Sequence, residues 1–580
     1  MTQSRILSVE GVTIKGNLKS SVLVSDLSFD LYRGEVLAIA GESGSGKSLT
    51  SLAIMGLLPY PATSLTSGRI MFDGSDISTY SDRQMRHIRG QRIGMIFQEP
   101  MTSLNPILKI GKQLTETIGA HKRVGHKSAR ARAIDALRSV HISEPERRLD
   151  QYPYELSGGM RQRVMIAMCL SLSPDIIIAD EPTTALDVTT QIEILELLKE
   201  LQKDRNAAVI IITHDLGVVA ELADRVLILK EGEAIETNPV RELFQQPKYA
   251  YTKSLLSAVP SFRPENNKLA ETEIDKTQPL LAVKDLTVNF DLRGGAINRV
   301  VSRLHAVESV SFDVYPNETF AIVGESGCGK STTAKAITSL IPSKGQILFE
   351  GTDLNSLTKR QLRALRADLQ IVFQDPYASL DSRNTVGSLV REPLDVHDIY
   401  KPQQRNDQVA ELFSRVGLNP DWVSRYPHEF SGGQRQRICI ARALATKPKF
   451  IIADESVSAL DVVVQEEILD LLKDLQSEFG TSYLFISHDM AVVNNIADRV
   501  AVMHMGQIVE TGTCSQVFSN PQHPYTKVLI SSVLLPDPAY VRPYAPSYEA
   551  KTKSPIRKLG DPPELLTLTD VGSGHLVADS

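Results

Sequence analysis

The 580-residue chain lacks long apolar runs, and no stretch approaches the roughly 18 uninterrupted apolar residues of a membrane-spanning helix. Its first residues, MTQSRILSVEG, lack the apolar segment of a secretory signal peptide and lead directly into a strand-like pattern. These absences argue against a membrane-embedded or secreted protein. We therefore expect any membrane association to depend on a protein partner.

Cysteine and excess positive charge are also scarce. The four cysteines, Cys169, Cys328, Cys439 and Cys514, have no metal-ligand spacing, which indicates a reduced, cytosolic protein. The net charge of −6 provides no broad basic surface, so we expect no nucleic acid partner. A hydrophobic content of 42% with 23% charged residues is typical of globular proteins.

One set of motifs is present twice. GESGSGKS begins at Gly41 and GESGCGKS begins at Gly324, an offset of 283 residues. The offset is 276 between Gln98 and Gln374, and 274 for the pairs Ser157/Ser431, Asp180/Asp454 and His214/His488. A repeat in register indicates two large units, whereas length alone suggests roughly four domains. The repeat of the motifs in register also suggests that two half-sites must meet.

Both halves alternate strand and helix patterns, which predicts an α/β fold with a helical insertion. Alternating apolar positions predict antiparallel strands at Leu7–Ile14 and Leu281–Phe290. Charge-rich helical stretches follow at about residues 106–149 and 386–423. Buried strands are predicted at Val36–Ala40, Ile176–Ala179, Ala208–Thr213, Phe320–Val323, Phe450–Ala453 and Ser482–Ser487.

Composition predicts the domain boundaries. Residues 5–260 and 280–535 form the two repeated units, and the polar, aperiodic residues 261–279 form a linker. The Pro-rich residues 536–580 fall outside the repeat and are interpreted as a surface extension. Within it, the basic stretch KTKSPIRK at Lys551–Lys558 is expected to be solvated.

The phosphate-loop pattern G-x4-G-K-S follows an apolar strand in each half. Its glycines let backbone N–H groups approach phosphate oxygens, and the helix that follows adds its positive dipole end. This pattern predicts that Lys47 and Lys330 reach the β- and γ-phosphates of ATP, while Ser48 and Ser331 ligate Mg²⁺. The two loops comprise Gly41, Glu42, Ser43, Gly44, Ser45, Gly46, Lys47 and Ser48, then Gly324, Glu325, Ser326, Gly327, Cys328, Gly329, Lys330 and Ser331.

An Asp-Glu pair ends an apolar strand in each half. Most such pairs are solvated surface residues, but a position after a buried strand and downstream of a phosphate loop favours a catalytic role. Asp180 and Asp454 suit the Mg²⁺ shell. Glu181 and Glu455 suit a base that orients the attacking water.

A Ser-Gly-Gly motif begins a helical pattern in each half. A lone motif of this kind is usually an ordinary helix cap, but its repetition beside the other motifs favours a second anion-binding site. Its residues are Ser157, Gly158 and Gly159 in LSGGMRQR, and Ser431, Gly432 and Gly433 in FSGGQRQR.

These motifs together resemble the nucleotide-binding domains of ATP-binding cassette (ABC) transporters, over about residues 5–260 and 280–535. The resemblance implies two tandem P-loop domains, each with an α/β core, an antiparallel β subdomain and a helical subdomain, that hydrolyse ATP with Mg²⁺. It also implies head-to-tail packing. The segment 157–159 would then complete the site of Lys330, and the segment 431–433 the site of Lys47.

Further positions acquire roles only through this resemblance. Gln98 and Gln374 match the Q-loop, which links Mg²⁺ to the helical insertion that docks on a membrane subunit. His214 and His488 match the switch histidine, which contacts the γ-phosphate. A lone Thr-His-Asp or Ser-His-Asp tripeptide is usually structural, but here each follows the third predicted buried strand, which favours the switch role. Asp187 and Asp461 match the D-loop.

The two copies differ mildly, yet both keep the full catalytic set, which predicts that both sites hydrolyse ATP. Phe290 matches the aromatic residue that stacks on adenine, whereas Gly16 stands at the aligned position. The other differences are Met160 against Gln434 and Pro182 against Ser456. Cys328 is interpreted as a small filler; the alternative is a low-pKa thiol at a helix N-terminus.

The segment PQHPYTKVLISSV at residues 521–533 resembles the C-terminal segment of oligopeptide and dipeptide importer ATPases, and PKYAYTKSLLSAVP at 247–260 is its weaker twin. EPMTSLNP (99–106) and DPYASLD (375–381) resemble the same branch. The fused cassettes, ADESVSALD and a tail with GSGHLVA are most similar to bacterial glutathione-import ATPases.

We therefore expect this chain to be the energy-coupling ATPase of a bacterial importer of small peptides, with glutathione as the preferred candidate for the imported peptide. The resemblance places it peripherally on the cytoplasmic face of the inner membrane, with two permease subunits and a periplasmic solute-binding protein as partners. Two alternatives stay open: a tandem-cassette ATPase that acts in translation or on nucleic acid, and a regulatory ATP binder without catalysis.

Overall fold

A computed structural model describes residues 4–17, 21–98, 103–122, 124–183, 186–259, 277–294, 299–458, 460–542, 554–561 and 564–579. Most of the predicted linker and parts of the EPMTSLNP motif and of the tail lie outside the described residues. Among the helices described, none combines the length and the apolar character needed to cross a bilayer.

The first half contains two sheets. The strands are β1 (Arg5–Gly16), β2 (Ser21–Tyr32), β3 (Val36–Ala40), β4 (Thr63–Phe72), β5 (Ser75–Asp76), β6 (Ile93–Ile96), β7 (Ile176–Asp180), β8 (Ala208–Thr213), β9 (Arg225–Lys230) and β10 (Glu233–Pro239). An antiparallel sheet has the order β2-β1-β4-β5, and a six-stranded core sheet has the order β10-β9-β3-β8-β7-β6 with only β10 antiparallel.

The helices of the first half lie in the connections between these strands and in the predicted helical insertion. They are α1 (Lys47–Ile54), α2 (Asp82–Ile88), α3 (Ile110–His121), α4 (His126–Ser139), α5 (Pro145–Arg148), α6 (Gly158–Leu170), α7 (Val188–Arg205), α8 (Leu216–Leu222), α9 (Val240–Gln245) and α10 (Ala250–Ser257). The three helices from α3 to α5 correspond to the predicted charge-rich helical stretch.

The second half repeats this architecture with larger sheets. Its strands are β11 (Leu281–Gly294), β12 (Arg299–Val314), β13 (Thr319–Val323), β14 (Lys344–Phe349), β15 (Thr352–Asp353), β16 (Leu369–Val372), β17 (Phe450–Asp454), β18 (Ser482–Ser487), β19 (Arg499–His504), β20 (Gln507–Thr513), β21 (Ile556–Lys558), β22 (Leu568–Asp570) and β23 (Leu576–Ala578). The sheet orders are β15-β14-β11-β12-β21 and β16-β17-β18-β13-β19-β20-β23-β22. Its helices are α11 (Lys330–Ile337), α12 (Lys359–Leu365), α13 (Pro376–Ser379), α14 (Val386–Val396), α15 (Pro402–Arg415), α16 (Gly432–Leu444), α17 (Val462–Phe479), α18 (Met490–Ile496), α19 (Cys514–Ser519) and α20 (Pro524–Ser531).

Burial on both faces explains the uninterrupted apolar runs of the core strands. In β7, Ile177 packs into the cluster that includes the helical insertion, while Ile176 and Ile178 pack into the cluster beneath the antiparallel sheet. Every residue of this strand is buried. A parallel strand with helices on one face and a sheet on the other needs apolar side chains on both, which is the pattern in the sequence.

The interpretation of residues 536–580 as a surface extension is wrong for much of the described tail. Strand β23 pairs with β20 and extends the core sheet, and β21 pairs with β12 at the edge of the antiparallel sheet. The stretch expected to be solvated contains Arg557, whose guanidinium donates two hydrogen bonds to the buried Glu308 carboxylate, at 2.8 and 2.7 Å. The tail thus belongs to the second half, because it covers sheet edges and neutralises a buried charge there.

Replacing Arg557 by methionine is expected to lower the free energy of unfolding of the second half by about 3 kcal/mol, because it leaves the Glu308 carboxylate buried without its main partner. His305 lies 3.2 Å from the same carboxylate and should offset part of the loss. Denaturant unfolding of the intact chain measures the effect. In contrast, Arg383→Met should cost little, since its ion pair with Asp381 is solvent-exposed; equal losses in the two variants would contradict a buried anchor.

Candidate nucleotide sites

Each phosphate loop runs from the end of a buried strand into a helix, β3 into α1 and β13 into α11. The first glycine of each loop passes extremely close to neighbouring backbone. A Cβ on Gly41 would lie 2.1 Å from the Leu229 carbonyl oxygen, and one on Gly324 would lie 2.2 Å from that of Met503. Only glycine fits there, so the loop's tight path over the sheet depends on these two positions.

The two loop lysines are buried and point back onto their own loops. Lys47 Nζ donates to the carbonyl oxygens of Gly41 (2.8 Å) and Glu42 (2.6 Å), and Lys330 Nζ donates to those of Gly324 (2.8 Å) and Glu325 (3.0 Å). Burial lowers the pKa of Lys47, opposed by the charges of Glu181 and of Asp461 in the other half. A positive charge is thus held inside each loop, which suits a phosphate group.

A hydroxyl and a carboxylate meet beside each loop. Ser48 Oγ donates to Asp180 at 3.1 Å, and Ser331 Oγ donates to Asp454 at 2.8 Å. Burial raises the pKa of Asp180 to about 6 and also raises that of Asp454. Hard oxygen donors of this kind match the preference of Mg²⁺, so the predicted ligand pairs fit that ion.

The glutamate that follows each predicted Mg²⁺-binding aspartate has an unusual backbone conformation. Glu181 has a φ of 48° and Glu455 a φ of 46°, a region that costs energy for residues with a Cβ. Their N–H groups donate to the carbonyl oxygens of Ile212 and Ile486 on the neighbouring strand. This turn directs the two carboxylates away from the strand path, and sequence reasoning could not foresee it.

In the first half, Gln98 and His214 converge on Glu181. Gln98 Nε2 donates to Glu181 at 2.6 Å, and His214 Nδ1 lies 3.1 Å from the other carboxylate oxygen. Desolvation lowers the pKa of His214, but the hydrogen bond and the charge of Glu181 outweigh it, and the net pKa is raised. The predicted Q-loop, switch and catalytic residues therefore form one hydrogen-bonded group.

In the second half the equivalent residues also converge on the glutamate, with a lysine contact added and with the histidine farther away. Gln374 Nε2 donates to Glu455 at 2.7 Å, and Lys330 Nζ lies 3.6 Å from its carboxylate. His488 Nδ1 is 3.5 Å away, a charge contact beyond good hydrogen-bond distance. Burial acts to raise the pKa of Glu455, but His488 and Lys330 outweigh it and lower the pKa, so the carboxylate favours its charged form.

The two Ser-Gly-Gly motifs begin helices, as predicted. Ser157 Oγ caps α6 by accepting from the Met160 N–H at 3.3 Å. Ser431 caps α16 in the same way, and Gln434 returns a second bond to the Ser431 N–H, which completes a capping box. The Met160/Gln434 difference therefore changes the helix cap: α6 has a one-sided cap, whereas α16 has a reciprocal one. The described hydrogen bonds of both serines stay within their own halves.

The two halves meet beside the phosphate loops. Thr189, at the start of α7, donates its hydroxyl to the Glu325 carboxylate at 2.6 Å, which joins the first half's D-loop region to the second half's phosphate loop. A cavity of about 160 Å³ at the junction is lined by residues of both halves, including His214, Asp215, His488 and Asp489. The halves are thus in contact where head-to-tail packing requires it.

The remaining predictions have mixed outcomes. Phe290 is 42% exposed on β11, an accessible position for a stacking residue, and this role stays a prediction. The low-pKa alternative for Cys328 is wrong, because burial raises the pKa of its thiol. Its sulfur would lie 2.9 Å from a Cβ on Gly324, so Cys328 fills space beside that glycine.

Two tyrosines near the phosphate loops were not singled out by sequence reasoning. Tyr251 and Tyr525 belong to the segments that resemble peptide-importer ATPases, and each hydroxyl accepts a hydrogen bond from a loop N–H. The signal that could have found them is their offset of 274 residues, which is that of the catalytic motifs.

Comparison with known families matches residues 24–184 and 307–458 to the family described as ABC transporter. Residues 235–283 and 509–555 match the family described as Oligopeptide/dipeptide transporter, C-terminal region.

Full-length relatives agree with these matches. "Glutathione import ATP-binding protein GsiA" of Pectobacterium atrosepticum is 50% identical, over 96% of this chain and 93% of the relative. The protein of that name in Escherichia coli O157:H7 is 49% identical, over 99% and 96%. A solved complex of archaeal ribosomal stalk protein aP1 and archaeal ribosome recycling factor aABCE1 covers 98% of this chain and 95% of that one, with a TM-score of 0.60. Because that identity is only 18%, the likeness shows the tandem fold alone.

Proposed function

Because this chain belongs to the ABC transporter family and is the ATP-hydrolysing subunit of a peptide importer, we propose that the imported peptide is glutathione. The observation that carries the proposal is the match of both cassettes and both C-terminal segments, over nearly the whole chain, to proteins named for glutathione import. A role in translation is not favoured, since the ribosome-related neighbour shares only the fold.

In the proposed mechanism, Lys47 and Lys330 bind the β- and γ-phosphates of ATP within their loops. Ser48 with Asp180, and Ser331 with Asp454, would hold Mg²⁺, assisted by Gln98 and Gln374. Bound there, Mg²⁺ would neutralise charge that develops on the phosphates. These assignments rest on the buried lysines and on the hydroxyl–carboxylate pairs at 3.1 and 2.8 Å.

Glu181 and Glu455 would accept a proton from the attacking water or orient it. His214 and His488 would hold these carboxylates in place and contact the γ-phosphate. The raised pKa of His214 favours its charged form, which suits contact with an anion. The lowered pKa of Glu455 keeps that base ionised.

Each ATP would lie between the halves. Ser157, Gly158 and Gly159 would complete the site of Lys330, while Ser431, Gly432 and Gly433 would complete that of Lys47, through helix N-termini that favour anions. The Thr189–Glu325 hydrogen bond supports this arrangement, because it brings α7 of the first half to the second phosphate loop. Hydrolysis would remove the γ-phosphate bridge and let the halves separate.

The proposed partners are two transmembrane permeases and a periplasmic solute-binding protein. The chain would lie on the cytoplasmic face of the inner membrane and be held there by the permeases, which would bind its helical insertions. The importer-type C-terminal matches support this placement.

Growth on glutathione as sole sulfur source tests the proposal in a strain that lacks the chromosomal gene. Wild-type protein should restore growth, the Glu181→Gln/Glu455→Gln variant should not, and both strains should grow equally on sulfate. Uptake of labelled glutathione, with unrelated tripeptides as competitors, measures substrate choice. Undiminished glutathione uptake in the deletion strain would overturn the glutathione assignment and leave the ATPase assignment intact.

A further inference from the structure

Both C-terminal peptide-importer segments reach back to the phosphate loop of their own half. The Glu42 N–H donates to the Tyr251 hydroxyl at 3.3 Å, and the Glu325 N–H donates to the Tyr525 hydroxyl at 3.2 Å. These partners are 209 and 200 residues apart in the chain, yet the contact occurs in both halves. We propose that Tyr251 and Tyr525 are positioning residues that hold the entry of each phosphate loop in its nucleotide-binding conformation.

A glutamate on the last strand of each cassette anchors the segment that carries the tyrosine. The Glu236 carboxylate accepts from the Lys248 N–H (3.1 Å) and from the Thr252 hydroxyl (2.7 Å), which fixes the start of α10. In the second half, Glu510 accepts from the N–H groups of Gln522 (2.8 Å) and His523 (2.9 Å). The segments that carry the two tyrosines are therefore hydrogen-bonded to the core sheet.

The C-terminal tail takes part in the second anchor. His575 Nε2 lies 2.7 Å from Glu510, and both side chains are buried. In the first half the Thr252 hydroxyl occupies this role, whereas the equivalent Thr526 hydroxyl is buried and has no hydrogen-bond partner among the residues that the structure describes. The second anchor thus uses a residue from the tail in place of its own threonine.

Each tyrosine ring is held by a side chain at the end of the strand beside the loop. Lys230 Nζ lies 4.8 Å from the Tyr251 ring centroid, and the His504 ring lies 4.0 Å from that of Tyr525. Burial raises the pKa of Tyr251 to about 12 and that of Tyr525 well above its usual range, so both hydroxyls stay neutral acceptors. Tyr525 is only 2% exposed, so water cannot readily replace its hydroxyl.

The contact between Tyr525 and Glu325 is linked to the first half of the chain through Glu325. The Glu325 carboxyl, whose pKa is raised by burial, accepts a hydrogen bond from the Thr189 hydroxyl of the first half at 2.6 Å. Val463 stands at the position equivalent to Thr189 and cannot donate to Glu42. Tyr525 is buried whereas Tyr251 is half-buried, so we expect the second loop to depend more on its tyrosine than the first loop does.

Tyr525→Phe removes one oxygen and keeps the ring, so it tests the hydroxyl alone. Calorimetric titration of the full chain with the non-hydrolysable analogue AMP-PNP and Mg²⁺ should show about fivefold weaker binding at one site, because a buried N–H loses its acceptor. Tyr251→Phe should weaken the other site less, since its hydroxyl is more accessible to water. The KM for ATP should rise while kcat changes less than about twofold.

Two controls remove a tyrosine hydroxyl elsewhere. Within the described part of the chain, the buried Tyr483 hydroxyl has no hydrogen-bond partner. The Tyr249 side chain, two residues from Tyr251, is 53% exposed. Tyr483→Phe and Tyr249→Phe should leave the affinity and the KM unchanged. An affinity loss of the same size in these controls, or none in Tyr525→Phe, would overturn the proposal.

Hydrogen exchange gives a second, local readout that does not depend on activity. The amide of Glu325 should exchange faster in Tyr525→Phe, and that of Glu42 in Tyr251→Phe, while the melting temperature stays near that of Tyr483→Phe. Unchanged exchange at both amides would overturn the positioning role. The inference rests on ATP binding and not on the transported peptide, so a failed glutathione assay leaves it intact.

Discussion

The Glu181→Gln/Glu455→Gln variant is expected to lose about 10²–10⁴-fold in the kcat of ATP hydrolysis while it still binds ATP. Glutamine keeps the size of each side chain and cannot accept a proton. The surrounding donors, Gln98 and Gln374, should still hold the amides, so the loss should be confined to the chemical step.

Phosphate release under saturating ATP measures this effect, and AMP-PNP binding provides the parallel readout. The single variants show whether the sites contribute equally. Glu455 has a lysine contact in addition to its histidine, so its replacement should change the loop more than replacement of Glu181. The matched control is Glu411→Gln, an exposed carboxylate paired with Arg415. Turnover of the double variant within about fivefold of wild type would contradict the catalytic assignment.

Much of the fold could be predicted because its signals are local. The buried runs Ala208–Thr213 and Ser482–Ser487 coincide with β8 and β18, since a short run of consecutive apolar residues between polar segments fits a strand covered on both faces. The phosphate loops and the serine caps were predictable for a similar reason. The cap at Ser157 depends on residues three positions apart, and the phosphate loop is marked by eight consecutive residues, although the reason for glycine at Gly41 is the distant Leu229 carbonyl.

Features that depend on distant contacts were not predictable from the sequence. Arg557 and Glu308 are 249 residues apart, and nothing in a short basic stretch indicates that one of its members will be buried. The role of Tyr251 and Tyr525 could not be predicted from the importer-type segments that contain them, because their contact with the phosphate loops joins opposite ends of a cassette. The positive φ of Glu181 and Glu455 arises from the sheet and leaves no pattern in the sequence.

The structure also shows that the copies differ more than their motifs suggest. Thr189 hydrogen-bonds the opposite phosphate loop, while Val463 stands at the equivalent place and packs against the apolar core of the first half. The tail contributes strands and buried ion-pair partners to the second half, and it reaches the first half through the hydrogen bond from Arg542 to Glu196 at 2.6 Å. The two nucleotide sites therefore keep the same catalytic residues in different surroundings.

The second large effect is expected from variants that combine a loop lysine with a signature serine. If Lys47 and Ser431 serve one site, replacing both by alanine damages a single site and leaves that of Lys330 with Ser157 intact. Replacing Lys47 and Ser157 instead damages both sites. Each lost charged or hydroxyl contact to phosphate should weaken binding by about tenfold or more. The two double variants carry equivalent substitutions, so each controls for the other.

Retained ATP in the slow-hydrolysing Glu181→Gln/Glu455→Gln background tests the shared-site arrangement most directly. Radiolabelled ATP that stays with the chain after rapid desalting is counted for each double variant. We predict one retained ATP per chain for Lys47→Ala with Ser431→Ala, and almost none for Lys47→Ala with Ser157→Ala. The reverse result would contradict the account, because it would mean that each half holds its own complete nucleotide site.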